Sequence, residues 1–501
     1  MKAIVLMFDS LRRDMLSCYG GDVATPNFDR LARHTVRFEN SYAGSLPCMP
    51  ARRELHTGRL NFLHRSWGPV EPFDDSMPEL LAANGVHTHL ATDHYHYIQD
   101  GGATYCGRYS TFSCARGQES DAWVGDLTPR EKEFAPNQLS PEQMTGPMRQ
   151  ARAKGGWQSE SNRTRIRGEA DYPMVQTFDD GLDFIERNAG YDRWFLQLEC
   201  FDPHEPFVSP EIDQARFLSP DDFASPDWPQ YAPATEDEQT IERMRNKYKA
   251  LLTFCDRQVG RLLDVMDEKN LWEDTMLICN TDHGFFLGEH HWWGKGTMPN
   301  YDELVHTPMF IWDPREKRCN AASDALVQTI DIAPTLLEFF GVPIPKDMLG
   351  CSLRQALRGQ KVRNAALFGY HGGAVGITDG RWVLLRAIAD SENSAFEYTL
   401  MPTHMKTMFS PEELRRAELV EGFSFMKGVP VLKIPAKTNP RFLHSQSKDL
   451  LFDLQKDPKQ QHPVDCQAEK ARLLEQMAEL FVQNDAPEES YRRYDLKHIH
   501  H

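Results

Sequence analysis

TMLICNTDHGFFLGEH, residues 275–290, decides the fold. A mostly apolar run, TMLICN, stops abruptly at Thr281-Asp282-His283-Gly284. Its length suits one buried strand, and the polar turn after it is where a parallel sheet offers side chains to a ligand. Three more stretches repeat the pattern. AIVLMF (3–8) ends in Asp9, VHTHLA (86–91) leads into TDHYHY, and WFLQLECF (194–201) leads into DPHEPF. Segments with helical spacing lie between them: DRLARH (29–34), SMPELLAANG (76–85) and DIAPTLLEFFG (331–341), the last two closed by Gly85 and Gly341. This alternation predicts an α/β fold with a large, mostly parallel central sheet flanked by helices. Four clusters of Asp and His are then expected at the carboxyl edge of one sheet.

Working outward, residues 1–365 form one predicted catalytic α/β domain, interrupted over 100–175 by a long, polar, irregular insertion. Residues 366–501 change character and predict a smaller α+β domain with an antiparallel sheet. There GITDGRWVLLR (376–386) is a hairpin turning at Asp379-Gly380, DLLFDLQKDP (449–458) a strand and turn, and EKARLLEQMAELFVQ (469–483) a helix. A chain of 501 residues, 40% hydrophobic, suits two or three domains. Its net charge of −17 argues against a general binder of nucleic acid or anionic membrane. An anionic substrate would need a local positive pocket. The run Ala3–Phe8 is too short for a signal peptide or a membrane span. A cytoplasmic protein is expected, or a periplasmic one if a leader has been removed. Ten cysteines without a CxxC pair suit reduced thiols. Association into a homo-oligomer stays open.

Asp9, at the end of a first strand, is a metal ligand, a helix cap or an ion-pair partner. Asp282 and His283, side by side on a turn, add an oxygen and a nitrogen donor, and together the clusters favour a divalent site. In CMPAR, Pro50 fits a first helical turn, which puts Cys48 at the positive end of the helix dipole with Arg52 one turn on. That is an anion site built around a thiol. The cysteine is an activated nucleophile or a structural residue beside a cap, and Arg52 favours the first. His204, between Pro203 and Pro206, is a candidate general acid. Lys295, amid Trp292, Trp293 and two glycines, is a candidate desolvated cation.

These stretches together resemble the sulfatases of the alkaline phosphatase superfamily. CMPARRELHTGR (48–59) fits the signature, and FDSLRRDMLSCYG, TPNFDRLARHTVRFENSYA, DPHEPF, TDHGFFLGEHHWWGK, VHTPMFIW and VQTIDIAPTLLEFFG follow in the expected places. The resemblance implies that Cys48 is converted to formylglycine by machinery reading Cys48, Pro50 and Arg52. It implies a hydrated aldehyde whose one hydroxyl attacks sulfur and whose other permits expulsion of sulfate. Asp9, Cys48, Asp282 and His283 would surround one divalent metal, calcium before manganese. Arg52 and Lys295 would stabilise transferring charge, and His204, aided by Lys295, would protonate the leaving alcohol. The implied substrate is a small-molecule or oligosaccharide sulfate ester.

Three departures stand out. Ser10 replaces a second aspartate, Asp282-His283 replaces Asp-Asn, and TDHYHY replaces Lys-any-His. His94 and His96 are assigned to substrate binding, with Asp93 and Tyr95 the alternative pair. A minor departure is His56. The departures resemble the branch of phosphonate monoester hydrolases and choline-sulfatase-like enzymes, which makes hydrolysis of phosphonate monoesters or phosphodiesters the runner-up. Finally, Arg149, Arg152, Lys154, Arg163, Arg165 and Arg167 form a basic stretch opposed by Glu160 alone, expected as a loop bordering the pocket, with Trp157 placed to stack on a sugar ring.

Overall fold

Lys2–Phe8 forms β1, and all seven of its residues are buried. In the computed structural model, which describes residues 1–130, 133–139, 146–390, 395–436 and 446–497, this strand lies inside an eight-stranded sheet. The others are β2 (Val36–Tyr42), β3 (His87–Thr92), β4 (Thr111–Cys114), β5 (Trp194–Cys200), β6 (Thr275–Thr281), β7 (Met309–Trp312) and β8 (Ala321–Gln328). Their order is β8-β2-β7-β6-β1-β5-β3-β4, and only β7 runs against the rest. The four strands read from the sequence, β6, β1, β5 and β3, are thus consecutive and parallel, and their carboxyl ends share one edge.

Both faces of β1 are covered, which is why it reads as a continuous apolar run. Ile4, Leu6 and Phe8 pack against Phe178 and Ile185 of α5 (Pro173–Asn188) and against Leu251 and Phe254 of α6 (Glu238–Glu268). Ala3, Val5 and Met7 face Met77 and Leu81 of α3 (Met77–Ala83) and Leu336 and Phe340 of α7 (Ile332–Phe340). Helices α1 (Pro26–His34), α2 (Cys48–Thr57), α4 (Gly146–Arg163) and α8 (Gln467–Gln483) accompany them.

A five-stranded sheet runs Leu450–Asp453, Trp382–Arg386, Val375–Thr378, Ala366–Tyr370, Ser45–Leu46. The hairpin turns as expected, with Gly380 at φ 92°. Leu473, Met477 and Phe481 of α8 pack on Ile377, Leu384 and Leu451. The edge strand Ser45–Leu46 comes from the amino-terminal part and pairs parallel with Gly369–Tyr370. The segment just before Cys48 is thereby clamped to the second sheet. A three-stranded antiparallel sheet, Phe396–Thr399, Val431–Pro435 and Glu418–Val420, lies beyond.

The stretch 100–175 corrects the reading of an irregular insertion. It contributes β4, the edge strand of the large sheet, and the 18-residue helix α4. Neither announces itself: α4 carries a Gly155-Gly156 pair and no regular apolar stripe, so periodicity is silent. Residues 131–132 and 140–145 lie outside the described residues. Among the described residues no helix is long and apolar enough to cross a membrane, and all ten cysteines are unpaired.

Candidate active site

Helix α2 starts at Cys48, with Pro50 in its first turn. Arg52, one turn on, returns Nη1 to the Cys48 carbonyl at 3.0 Å. The same guanidinium is fully buried among three carboxylates. Nε donates to Glu199 at 2.8 Å, and Nη1 faces Asp282 and, at 3.1 Å, Asp9. Burial opposes its charge, but Glu199, Asp282 and Asp9 hold it well above the ordinary range. Nη2 is buried without a partner.

Asp9 follows β1, and the chain turns sharply at Ser10, φ 65°. That turn aims the Ser10 N–H at Asp282 Oδ1 (3.1 Å) and its hydroxyl at Asp9 Oδ1 (2.7 Å). Lys295 Nζ donates to both Ser10 Oγ (2.9 Å) and Asp9 Oδ1 (3.2 Å). Where a second aspartate was missed in the sequence, the serine therefore links Asp9 to Lys295. His283 donates Nδ1–H to the Gly284 carbonyl at 2.8 Å, and its Nε2 accepts the Cys48 N–H at 3.1 Å. Donor atoms of Asp9, Cys48, Asp282 and His283 all lie within 4.8 Å of one another.

The electrostatics separate the roles. Burial would raise Asp9, yet Lys295 and Arg52 pull it well below the usual carboxylate range. Burial opposes the charge of Lys295, but Asp9 above all holds its ammonium above the ordinary range. Burial, then Asp9, pushes the Cys48 thiol well above its ordinary value. Desolvation, Asp9 and Asp282 raise it against the opposing charges of Lys295 and Arg52.

The Sulfatase family profile matches residues 2–342, more than half the chain, and the profile for the carboxyl-terminal part of N-sulphoglucosamine sulphohydrolase matches 288–415. The chain belongs to the Sulfatase family. An N-acetylglucosamine-6-O-sulfatase from Bacteroides thetaiotaomicron is 24% identical over 418 residues, 74% of each chain. A multifunctional alkaline phosphatase superfamily protein from Trinickia caryophylli is 27% identical over 378 residues, 66% of this chain and 70% of its own. The structure of a phosphonate monoester hydrolase from Agrobacterium radiobacter superposes with a TM-score of 0.64 over 96% of each chain at 19% identity. The fold is that of the sulfatases, and the enzyme class is sulfuric ester hydrolase.

A divalent ion, which the Sulfatase family implies, fits the donor set. Asp9 Oδ2 is buried without a hydrogen-bond partner. The Gly284 carbonyl fixes the His283 tautomer, so Nε2 keeps the lone pair that a ligating imidazole requires, here accepting the Cys48 N–H beside the cluster.

The remaining predicted residues surround this sulfatase cluster. His94 brings Nε2 to 3.6 Å from Asp9 Oδ2, is fully buried, and neither ring nitrogen has a hydrogen-bond partner. The His96 ring centre is 5.1 Å from that of His94, and its Nδ1 bonds Gln99. Asp93 and Tyr95 turn aside, the first to the Phe201 N–H and Gln118, the second to Glu119. His204 is buried and faces Asp9 and Lys295 electrostatically. The backbone at Gly294, φ 87°, needs glycine, since a Cβ there would meet the Tyr231 ring at 2.4 Å.

The basic stretch is helix rather than loop as far as Arg163, with Arg165 and Arg167 beyond the helix end. Arg149 pairs with Glu133 and Arg163 with Asp227. Arg152 stacks on Trp228 and donates to the Trp228 and Pro229 carbonyls, and it is coupled electrostatically to Glu205 beside His204. Trp157 is covered by the Arg130 guanidinium, 4.8 Å from its ring, so that face is not open to a sugar. Sequence reasoning missed Glu199, which Gln197 and Tyr97 also grip, and Tyr231, Tyr370 and Glu205. For Glu199 a signal existed: an acidic residue inside the apolar run WFLQLECF is an anomaly that burial must explain.

Proposed function

We propose that this sulfatase hydrolyses sulfate monoesters, sugar sulfates among them, through formylglycine formed from Cys48 and one divalent ion held by Asp9, residue 48, Asp282 and His283. The observation that carries it is the meeting of these four donors within 4.8 Å, ringed by Arg52, Lys295, His94 and His204, at the edge of four parallel strands. Calcium suits the oxygen donors, and the single imidazole leaves manganese as the alternative. The ion would supply Lewis-acid charge and lower the pKa of a coordinated hydroxyl.

The chain's own residues divide the remaining work. Formylglycine supplies what a thiol lacks: as a hydrate it offers one hydroxyl for attack and a second for release of sulfate. Arg52, its Nη2 unpaired, and Lys295 meet the charge on the transferring group. His94 stands beside Asp9 to bind a sulfuryl oxygen. His204 donates the proton that the leaving alcohol needs. The formylglycine-generating machinery is the partner this reading requires. The name of the N-acetylglucosamine-6-O-sulfatase supports a sugar sulfate as substrate.

Hydrolysis of phosphonate monoesters or phosphodiesters is the second reading, favoured by Ser10 in place of a carboxylate, by His283 in the donor set and by the likeness to a phosphonate monoester hydrolase. The test is turnover of matched aryl sulfate, aryl phosphonate monoester and aryl phosphodiester by metal-replete enzyme, with Cys48→Ala as control. Sulfate turnover foremost and lost in the control is expected. Dominant phosphonate or diester turnover would replace the first reading by the second.

A further inference from the structure

One buried acid beside the catalytic cluster has no role in the scheme above. Glu205 follows His204 directly and is 1% exposed. Its Oε1 accepts the Tyr231 hydroxyl, while Oε2 is buried without a hydrogen-bond partner. That bare oxygen lies 3.2 Å from Nδ1 of His204. Nδ1 also donates to the Glu205 carbonyl at 2.5 Å, so the ring is fixed with Nδ1–H toward Glu205. Nε2, on the opposite side, has no hydrogen bond among the described residues and is the atom left for the substrate.

The surroundings make this contact consequential. On the His204 side stand Lys295, Asp9, His94 and His96. On the Glu205 side stand Lys295, Glu119, Tyr231 and Arg152. Burial, then Lys295, drives the imidazole well below its ordinary value. Burial pushes Glu205 up to about 7. An imidazolium next to Lys295 is unfavourable, and so is a desolvated carboxylate; at 3.2 Å each charge lessens the other's penalty.

We propose that Glu205 is the positioning residue of the general acid, its carboxylate gripping the Nδ1 side of His204 and favouring the protonated ring, so that Nε2–H faces the leaving oxygen. The inference rests on the reading of His204 as proton donor. In the step, the bond from sulfur to the leaving oxygen breaks, its electron pair stays on that oxygen, and the Nε2 proton follows it. The ring ends neutral with Nδ1–H retained on Glu205.

The test uses metal-loaded, full-length enzyme labelled with ¹⁵N-histidine, the His204 signals assigned by their loss in His204→Asn. The titration midpoint of the His204 ring should fall by roughly one pH unit in Glu205→Gln and recover in Glu205→Asp. An unchanged midpoint overturns the proposal. Tyr231→Phe, which keeps the carboxyl and removes one hydrogen bond, gives a second readout in a milder variant: the midpoint should move measurably, and no movement counts against it. In kinetics, kcat/KM of Glu205→Gln should drop roughly tenfold for phenyl sulfate but under roughly threefold for 4-nitrophenyl sulfate, whose leaving group needs less protonation. Equal losses would mark a merely structural residue. Absence of turnover with any aryl sulfate would sink the functional reading instead, and the ring titration would still decide on Glu205.

Discussion

Arg52 is tied more tightly than any other side chain of the site. Three buried carboxylates, Glu199, Asp282 and Asp9, share its charge. Removing one partner of such a network leaves charges uncompensated, so Arg52→Gln should lower unfolding free energy by ~3–5 kcal/mol. It should also cut turnover at least ~100-fold, because a donor aimed at the transferring group is lost. Denaturant unfolding and aryl sulfate kinetics check both; lost activity at unchanged stability would contradict the three-carboxylate tie. At this scale the sequence was informative where chemistry depends on spacing. Cys48, Pro50 and Arg52 could be placed because a helix start constrains them, and Asp9, Asp282 and His283 because each ends a strand. Glu205 was in view within DPHEPF, yet its role depends on a hydroxyl brought from Tyr231, which no local pattern reports.

The elements were legible in proportion to their periodicity. Buried parallel strands betray themselves as apolar runs, and α7 ends at Gly341, φ 72°, as its sequence required. Helix α4 was not legible because polar residues and paired glycines carry no stripe. The edge strand Ser45–Leu46 was not, because two residues make no pattern and their pairing with Gly369–Tyr370 spans the chain. Two glycines make the distinction testable. Gly341→Ala meets open space and only loses a left-handed conformation, so it should cost ~1 kcal/mol and leave activity intact. Gly294→Ala adds a clash with Tyr231 next to Lys295. It should cost a further ~1–3 kcal/mol of strain or shift the Lys295 loop and depress turnover. Equal behaviour of the two variants in thermal unfolding and in kinetics would contradict this assignment.

The whole molecule carries opposed buried titrations. Burial lowers His56 to about 4 and His64 to about 3. The unfolded chain takes up these protons near pH 6.5, so the stability they confer is complete above that value and lost as pH falls toward 4 and 3. Burial raises Glu54 to about 7. Its contribution is complete at low pH and fades as pH climbs from the ordinary carboxylate range through 7. His56→Gln should therefore flatten the acid limb of stability against pH by up to about 3 kcal/mol, and Glu54→Gln should flatten the decline toward neutrality. Melting temperature against pH checks both signs. A divalent ion bound to the folded cluster alone should raise stability by ~2.7 kcal/mol at a hundredfold excess over its Kd, and chelation should reverse the gain. The central claim, that catalysis runs through an aldehyde at position 48, meets its most direct test in the mass of the tryptic peptide bearing that residue, taken from active enzyme made in a host with formylglycine-generating machinery. The account predicts loss of the cysteine sulfur and gain of a carbonyl oxygen, in a fraction that tracks specific activity from one preparation to the next. Full activity with an intact thiol at Cys48 would contradict it.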